Sequence, residues 1–383
     1  MAVIEPQSRA VGPPRWKLRW IGWRNRILAD PAFQRWAAAM PFLRSVARRR
    51  AVGLFDLVAG FTYTQTLLAT VESGLLDLLA RGPCPTGAIG QVAGLSDAAA
   101  VRLVRAAAAL DLTEEIAPGW WALGQQGAAL HSNQGARAMI LHHKVLYGDL
   151  ADPLALLRQD RAVPTALSAF WRYAANARPD GESCESVEAY SRLMADSQRM
   201  VAAEALATYP FARHRALLDI GGGHGVFLES VGQACPDLRL GLFDLPGVLA
   251  GAGSRLDHAG LLARTSLHPG NFFRDPLPSG FDCISLVRIL HDHDDGPALD
   301  LLRAIRAALP REGRLVIAEP MAGTPGAEAM GDAYFGLYLW AMRSGRPRRA
   351  DEIGAMLADA GFARWTRLVP HQPVVTSLIV ASP

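Results

Sequence analysis

At 383 residues, half of them apolar and with a formal net charge of +3, the chain is long enough for two domains and too weakly basic to be a general polyanion binder. No run of about twenty apolar residues is free of charge, so no transmembrane helix is expected. The opening MAVIEPQSRAVGPPR also lacks the apolar stretch of a secretory signal. Cys84, Cys184, Cys235 and Cys283 are scattered without CxxC spacing, which points to reduced thiols in a cytoplasmic protein.

Residues 1–50 read as an attached arm. They hold eleven Arg or Lys against Glu5 and Asp30, so the remainder of the chain is net negative. Trp16, Trp20 and Trp23 recur at i, i+4 and i+7, one face of a helix, among Arg15, Lys17, Arg19, Arg24 and Arg26. Such a helix suits a peripheral contact with a membrane surface. It equally suits a docking arm whose Trp face packs on a partner subunit.

Residues 51–205 carry a helical pattern. FDLVAGFTYTQTLLATVESGLLDLLA is apolar with a helical period and ends near Gly82-Pro83. The stretch TGAIGQVAGLSDAAAVRLVRAAAALDLTEE reads as helix, turn, helix, with Ser96 or Asp97 as N-cap. TEEIAPGWWAL then forms a hairpin around Pro118-Gly119, giving a winged-helix-like module. Its second helix has only Arg102 and Arg105 as basic residues, so a dimerising role is expected over DNA binding, with no nucleic-acid partner. PDGESCES is the most loop-like piece, and YSRLMADSQRMVAAEALATYPF leads into the next domain.

Residues 206–383 change texture. ALLDIGG, LRLGLFDLP, FDCISLV, GRLVIAEP, RWTRLV and VVTSLIVA are short apolar runs, and helical patterns separate the earlier ones. That alternation predicts an α/β Rossmann-like domain with a mostly parallel sheet, closed by an antiparallel pair. In LLDIGGGHG, glycines 221, 222, 223 and 225 directly follow the first strand, where they permit positive φ and close approach of backbone to a ligand. Asp244 ends the next strand, placed to accept hydrogen bonds from a ribose diol. A nucleoside-containing cofactor follows.

The form D-x-G-x-G-x-G, with Asp219 before the glycines, resembles S-adenosylmethionine-dependent methyltransferases rather than dinucleotide enzymes. GNFFRDPLP, RILHDHDD, GRLVIAEP and RRADEIGAMLADAGF follow in the order and spacing of the class I small-molecule O-methyltransferases, and the helical half resembles that family's dimerisation domain. The resemblance implies S-adenosyl-L-methionine as cofactor, held by Asp219, Gly221, Gly223, Asp244, Leu245, Asn271, Phe272 and Arg288. Asn271 departs from the acid usual there, and its amide oxygen is expected to meet the adenine amino group instead. The resemblance further implies His291 as general base, supported by Glu319 and Glu352, and a homodimer. Tyr190, Met194, Gln198, His293, Met330, Tyr334 and Tyr338 are expected to line an apolar acceptor pocket. His293 stands where the family usually has tryptophan.

The arm, the variant HDHDD and GDAYFGLYLWAMRSGRPRRADEI are most similar to the bacterial branch that methylates acyclic carotenoids, which implies a tertiary hydroxyl as acceptor. A phenol or a bacteriochlorophyllide carbon competes as acceptor, and a winged-helix DNA-binding regulator competes as a class. His291 and His293 with Asp292, Asp294 and Asp295 also admit a metal site. N-capping of the following helix accounts for Asp294 and Asp295, so no metal is expected.

Overall fold

The computed structural model describes residues 12–175 and 197–383. Tyr190, Met194 and Cys184 lie outside them. The chain divides into two compact units between Ala69 and Thr70. The first is helical: α1 (Arg15–Ala29), α2 (Pro31–Ala39) and most of α3 (Pro41–Glu72). The arm expected to end at residue 50 does not end there, because α3 runs through that point unbroken. Asp30 Oδ1 accepts the Ala32 N–H (2.9 Å) and starts α2 beside Pro31.

No membrane-spanning helix was expected, and α3 is the described helix that bears on this. By length and composition alone it is able to cross a bilayer, since Asp56 is the single charge in residues 53–71. Leu57, Val58 and Phe61 are among its exposed apolar side chains, and Trp16, Trp20 and Trp23 are exposed on α1.

In the second unit, α4 (Leu75–Leu79) follows a break at Gly74, and β1 (Cys84–Pro85) leads to α5 (Thr86–Ala93) and α6 (Asp97–Ala109). Ser96, not Asp97, caps α6 by accepting the Ala99 N–H. The expected hairpin is β2 (Thr113–Ala117) and β3 (Trp120–Leu123), and β1 adds to its β3 edge. Helices α7 (Gln125–Ser132), α8 (Gln134–Asp149), α9 (Pro153–Arg158), α10 (Ala166–Ala175) and α11 (197–208) complete the helical half.

The sheet follows: β4 (Ala216–Ile220), α12 (Val226–Ala234), β5 (Arg239–Asp244), α13 (Pro246–His258), β6 (Thr265–Pro269), β7 (Cys283–Val287), α14 (Asp295–Ala308) and β8 (Arg314–Glu319). After a π-helical segment, Ala329–Phe335, come α15 (Gly336–Met342), α16 (Ala350–Asp359), β9 (Arg364–Leu368) and β10 (Ser377–Ser382). The strand order is β6-β5-β4-β7-β8-β10-β9, with β10 antiparallel to both its neighbours. β4 and β7 are buried at every position because apolar clusters cover both faces. A third cluster joins Leu146, Leu156 and Leu167 to Tyr338, Leu339 and Met342, fixing α15 against the helical half.

Candidate active site

The carboxyl ends of β4, β5, β7 and β8 bring the candidate residues together, where open α/β sheets bind ligands. Beyond β4 the backbone turns at Gly221, Gly223 and Gly225, all at positive φ. Gly222 lies so close over Asp219 that a Cβ there would sit 2.2 Å from Oδ2. Asp219 is fully buried; its Oδ1 accepts from Ser285 Oγ (2.6 Å) and its Oδ2 has no partner among the described residues. Burial pushes this carboxyl up to about 7, opposed by the Ser285 hydrogen bond. Asp244 accepts the N–H groups of Gly223 (2.8 Å) and Leu245 (2.7 Å), which ties the glycine loop to β5.

This arrangement fits S-adenosyl-L-methionine. The orphaned Oδ2 of Asp219 is a buried acceptor suited to an ammonium group, and Asp244 keeps further lone pairs for hydroxyls. Phe272 and Ile289 flank the loop: a Cβ built at Gly221 would collide with Ile289 Cδ1 at 2.6 Å and touch Phe272 at 3.6 Å. Asn271 differs from expectation: its Oδ1 already accepts the Phe273 N–H (2.9 Å), closing a local turn, and its own N–H goes to Asp275 (2.8 Å). Only one lone pair of that amide oxygen remains for an adenine.

Arg288 follows β7 in the left-handed region, at φ 58°, a conformation costly for a side chain of its size. Its N–H is held by Ala318 O (2.8 Å), and its Nη1 donates to Ser197 Oγ on α11 (2.8 Å). Sequence reasoning passed over Ser197 and Ser285 because isolated serines carry no spacing signal.

His291 is buried in a short 3-10 turn, Leu290–Asp292. Its N–H and its Nδ1 both reach Glu319 Oε2, at 3.1 and 3.3 Å, and its Nε2 lies 3.2 Å from Asp292 Oδ1. Burial disfavours the imidazolium, yet Asp292 and then Glu319 outweigh it and raise the pKa above the ordinary histidine value. Glu319 thus lies against the imidazole.

Glu352 is not at the imidazole. Its oxygens are taken by Arg346 Nη1 (2.8 Å) and by the Arg349 N–H (2.8 Å) at the start of α16, so Asp292 supplies the second acid on His291. Asp294 stands at the N-cap position of α14 and Asp295 in its first turn, as a helix-dipole role requires, but the Asp294 side chain makes no cap hydrogen bond. Asp294 accepts from Gly345 N–H and Arg161, and Asp295 from Arg346 and Arg348. The loop they hold grips the histidine segment from below. Arg348 is fully buried and donates to Leu290 O (2.6 Å) and His293 O (2.7 Å), while Arg346 N–H reaches His291 O (3.0 Å). Gly345 is required there, because a Cβ would collide with His291 O.

His293 turns away from His291 into Phe272 and Phe273, with ring centroids at 5.7 and 4.9 Å. Burial lowers its pKa. Phe335 meets the His291 ring edge-on at 5.8 Å, and Tyr334 and Tyr338 stack on one another beside it. Met330 is half-buried in the same π-helical segment, and Gln198 is buried next to Ser197 with its Oε1 unpartnered among the described residues.

Comparison with known proteins agrees with this geometry. A family model described as an O-methyltransferase domain matches residues 147–363. The chain is 41% identical to demethylspheroidene O-methyltransferase of Cereibacter sphaeroides, over 100% of this chain and 98% of that protein. It is 39% identical to the demethylspheroidene O-methyltransferase of Rhodobacter capsulatus, over 98% and 92%. Among solved structures, the calicheamicin biosynthesis methyltransferase CalO1 in its SAH-bound form superposes with a TM-score of 0.72 at 26% identity, covering 88% of this chain and 98% of that one. The glycine loop and the acid-flanked histidine therefore belong to one lineage, and the chain is a member of the O-methyltransferase family that uses S-adenosyl-L-methionine.

Proposed function

We propose that the chain methylates the tertiary hydroxyl of an acyclic carotenoid. What carries this reading is full-length similarity to two demethylspheroidene O-methyltransferases. The aromatic wall beside His291, formed by Phe335, Tyr334 and Tyr338, suits a long apolar acceptor.

When bound, S-adenosyl-L-methionine supplies a methyl group already activated on a sulfonium, so the protein's task is placement and proton removal. Asp219 and Arg288 would hold the charged amino-acid end of the cofactor, while Asp244, Leu245, Asn271 and Phe272 would hold the nucleoside end. Glu319 accepts the Nδ1–H of His291, which leaves Nε2 as the proton-accepting atom. A tertiary alcohol is too weak an acid to ionise first, so Nε2 takes the proton as the oxygen becomes positive. Glu319 and Asp292 stabilise the imidazolium that results.

The test incubates purified protein with methyl-labelled cofactor and a hydroxylated acyclic carotenoid, followed by mass spectrometry. The expected product carries one new labelled methoxy group, and His291→Ala lowers kcat while cofactor binding persists. A labelled product without a new methoxy group refutes the acceptor, and an unchanged kcat in His291→Ala refutes the base.

We further propose a cytoplasmic homodimer whose arm docks on the second copy. Exposed apolar side chains along α1 and α3 support that reading, as do free Cys84, Cys235 and Cys283, which fit a reducing compartment.

A further inference from the structure

Two adjacent histidines of α8 have no place in proton removal, yet both reach the aromatic wall of the acceptor side. Tyr338 O receives the indole N–H of Trp171 at 3.1 Å and lies 2.8 Å from His142 Nε2. An indole only donates, so the Tyr338 oxygen accepts from Trp171, and its bond with His142 Nε2 runs in the direction that the His142 tautomer sets. Burial, followed by neighbouring His143, keeps the ring neutral by lowering its pKa to about 4. One residue along, His143 Nε2 lies 2.7 Å from the Tyr334 hydroxyl.

The π-helical segment gives this pairing its geometry. Its consecutive residues reach different partners, Tyr334 going to His143 and Phe335 to the edge of His291 at 5.8 Å. Tyr334 meets Phe335 at 4.9 Å and stacks on Tyr338 at 5.8 Å with a 28° tilt. Both hydroxyls of the wall are thereby bound to α8, and ring surface is what continues outward from His291.

We propose that His142 and His143 are positioning residues for acceptor choice. By binding the hydroxyls of Tyr338 and Tyr334 they keep the wall free of competing polar groups and favour a conjugated hydrocarbon over a polar aromatic acceptor. This rests on the carotenoid reading above. The chemistry is that of a buried hydrogen-bonded pair: removing one partner strands the other, whereas replacing both by apolar groups is close to neutral.

The experiment measures kcat and KM for a hydroxylated acyclic carotenoid and for a small phenolic acceptor, with cofactor Kd and thermal unfolding as controls. His143→Leu is expected to raise the carotenoid KM by about tenfold with kcat within about twofold, shifting the acceptor ratio toward the phenol. Adding Tyr334→Phe to it is expected to bring the KM back to within about threefold of the parent. An unchanged acceptor ratio in His143→Leu, or a double variant no better than the single, overturns the proposal. If His143→Leu does not fold, His143→Ala takes its place with the same readouts: an acceptor ratio shifted toward the phenol supports the wall role, and a ratio equal to the parent's overturns it. The parent protein is assayed alongside. No methoxylated carotenoid from the parent refutes the substrate reading, a result separate from either variant outcome.

Discussion

His291 sits between two carboxylates, and the sign of the consequence is definite. Asp292 and Glu319 overcome burial and raise its pKa, so the free enzyme holds the proton to a higher pH than an ordinary histidine. Proton removal needs the neutral ring; kcat/KM should therefore rise with pH through a midpoint above about 6.5, and Asp292→Asn should move that midpoint down. A midpoint that does not move in the variant excludes Asp292 as a contributor. The same raised pKa adds stability that is full below the unfolded value and is lost as pH rises through the folded one. Asp219 behaves alike in sign. With its carboxyl pushed up to about 7, ionisation above that pH costs the cofactor-free fold up to about 4 kcal/mol. Asp219→Asn should thus be the more stable protein at pH 8 by urea midpoint, yet bind S-adenosyl-L-methionine at least tenfold more weakly by calorimetry. Cofactor affinity equal to the parent's counts against Asp219 as a ligand. Glu319 was implied by the resemblance alone, since a strand-end acid does not by itself announce a bond to His291. Glu352 was misread because a sequence shows that an acid begins a helix and not that Arg346 has already bound it.

At the scale of elements, the sheet was readable because its strands are nearly uninterrupted apolar runs, and the glycine loop because only glycine tolerates its backbone. The π-helical segment was not. Met330, Tyr334, Leu337, Tyr338 and Ala341 fit an ordinary α-helical stripe, and no local period in the sequence distinguishes the wider turn from an α-helix. The buried contact of His142 with Tyr338 predicts a pH response. His142 stays neutral in the fold down to about 4, while the unfolded chain takes up that proton below about 6.5. Stability contributed by this site is present above pH 6.5 and falls as pH drops toward 4, by up to about 3 kcal/mol. His142→Leu should flatten that part of the urea-midpoint profile, and a slope identical to the parent's shows that His142 is not its source.

For the whole molecule, the arm is a segment that carries many exposed apolar side chains. Phe42, Leu57 and Phe61 are exposed on α3, and Trp16, Trp20 and Trp23 on α1. Removing residues 1–45 should leave cofactor affinity unchanged and shift sedimentation from dimer to monomer. A dimer that persists while binding to anionic vesicles is lost makes the arm a membrane contact instead. The sequence showed the Trp face but not its extent, because α3 continues past any boundary that composition marks.

The grip of Arg346 and Arg348 on the carbonyls of Leu290, His291 and His293 has a consequence for how acceptors diversify. The histidine's backbone is anchored from one side by that loop, while the acceptor wall approaches its ring from residues 329–342. Wall residues can therefore be exchanged and the proton-accepting atom stays where it is. A lineage built this way can explore new alcohols by altering one segment, without re-evolving its chemistry each time.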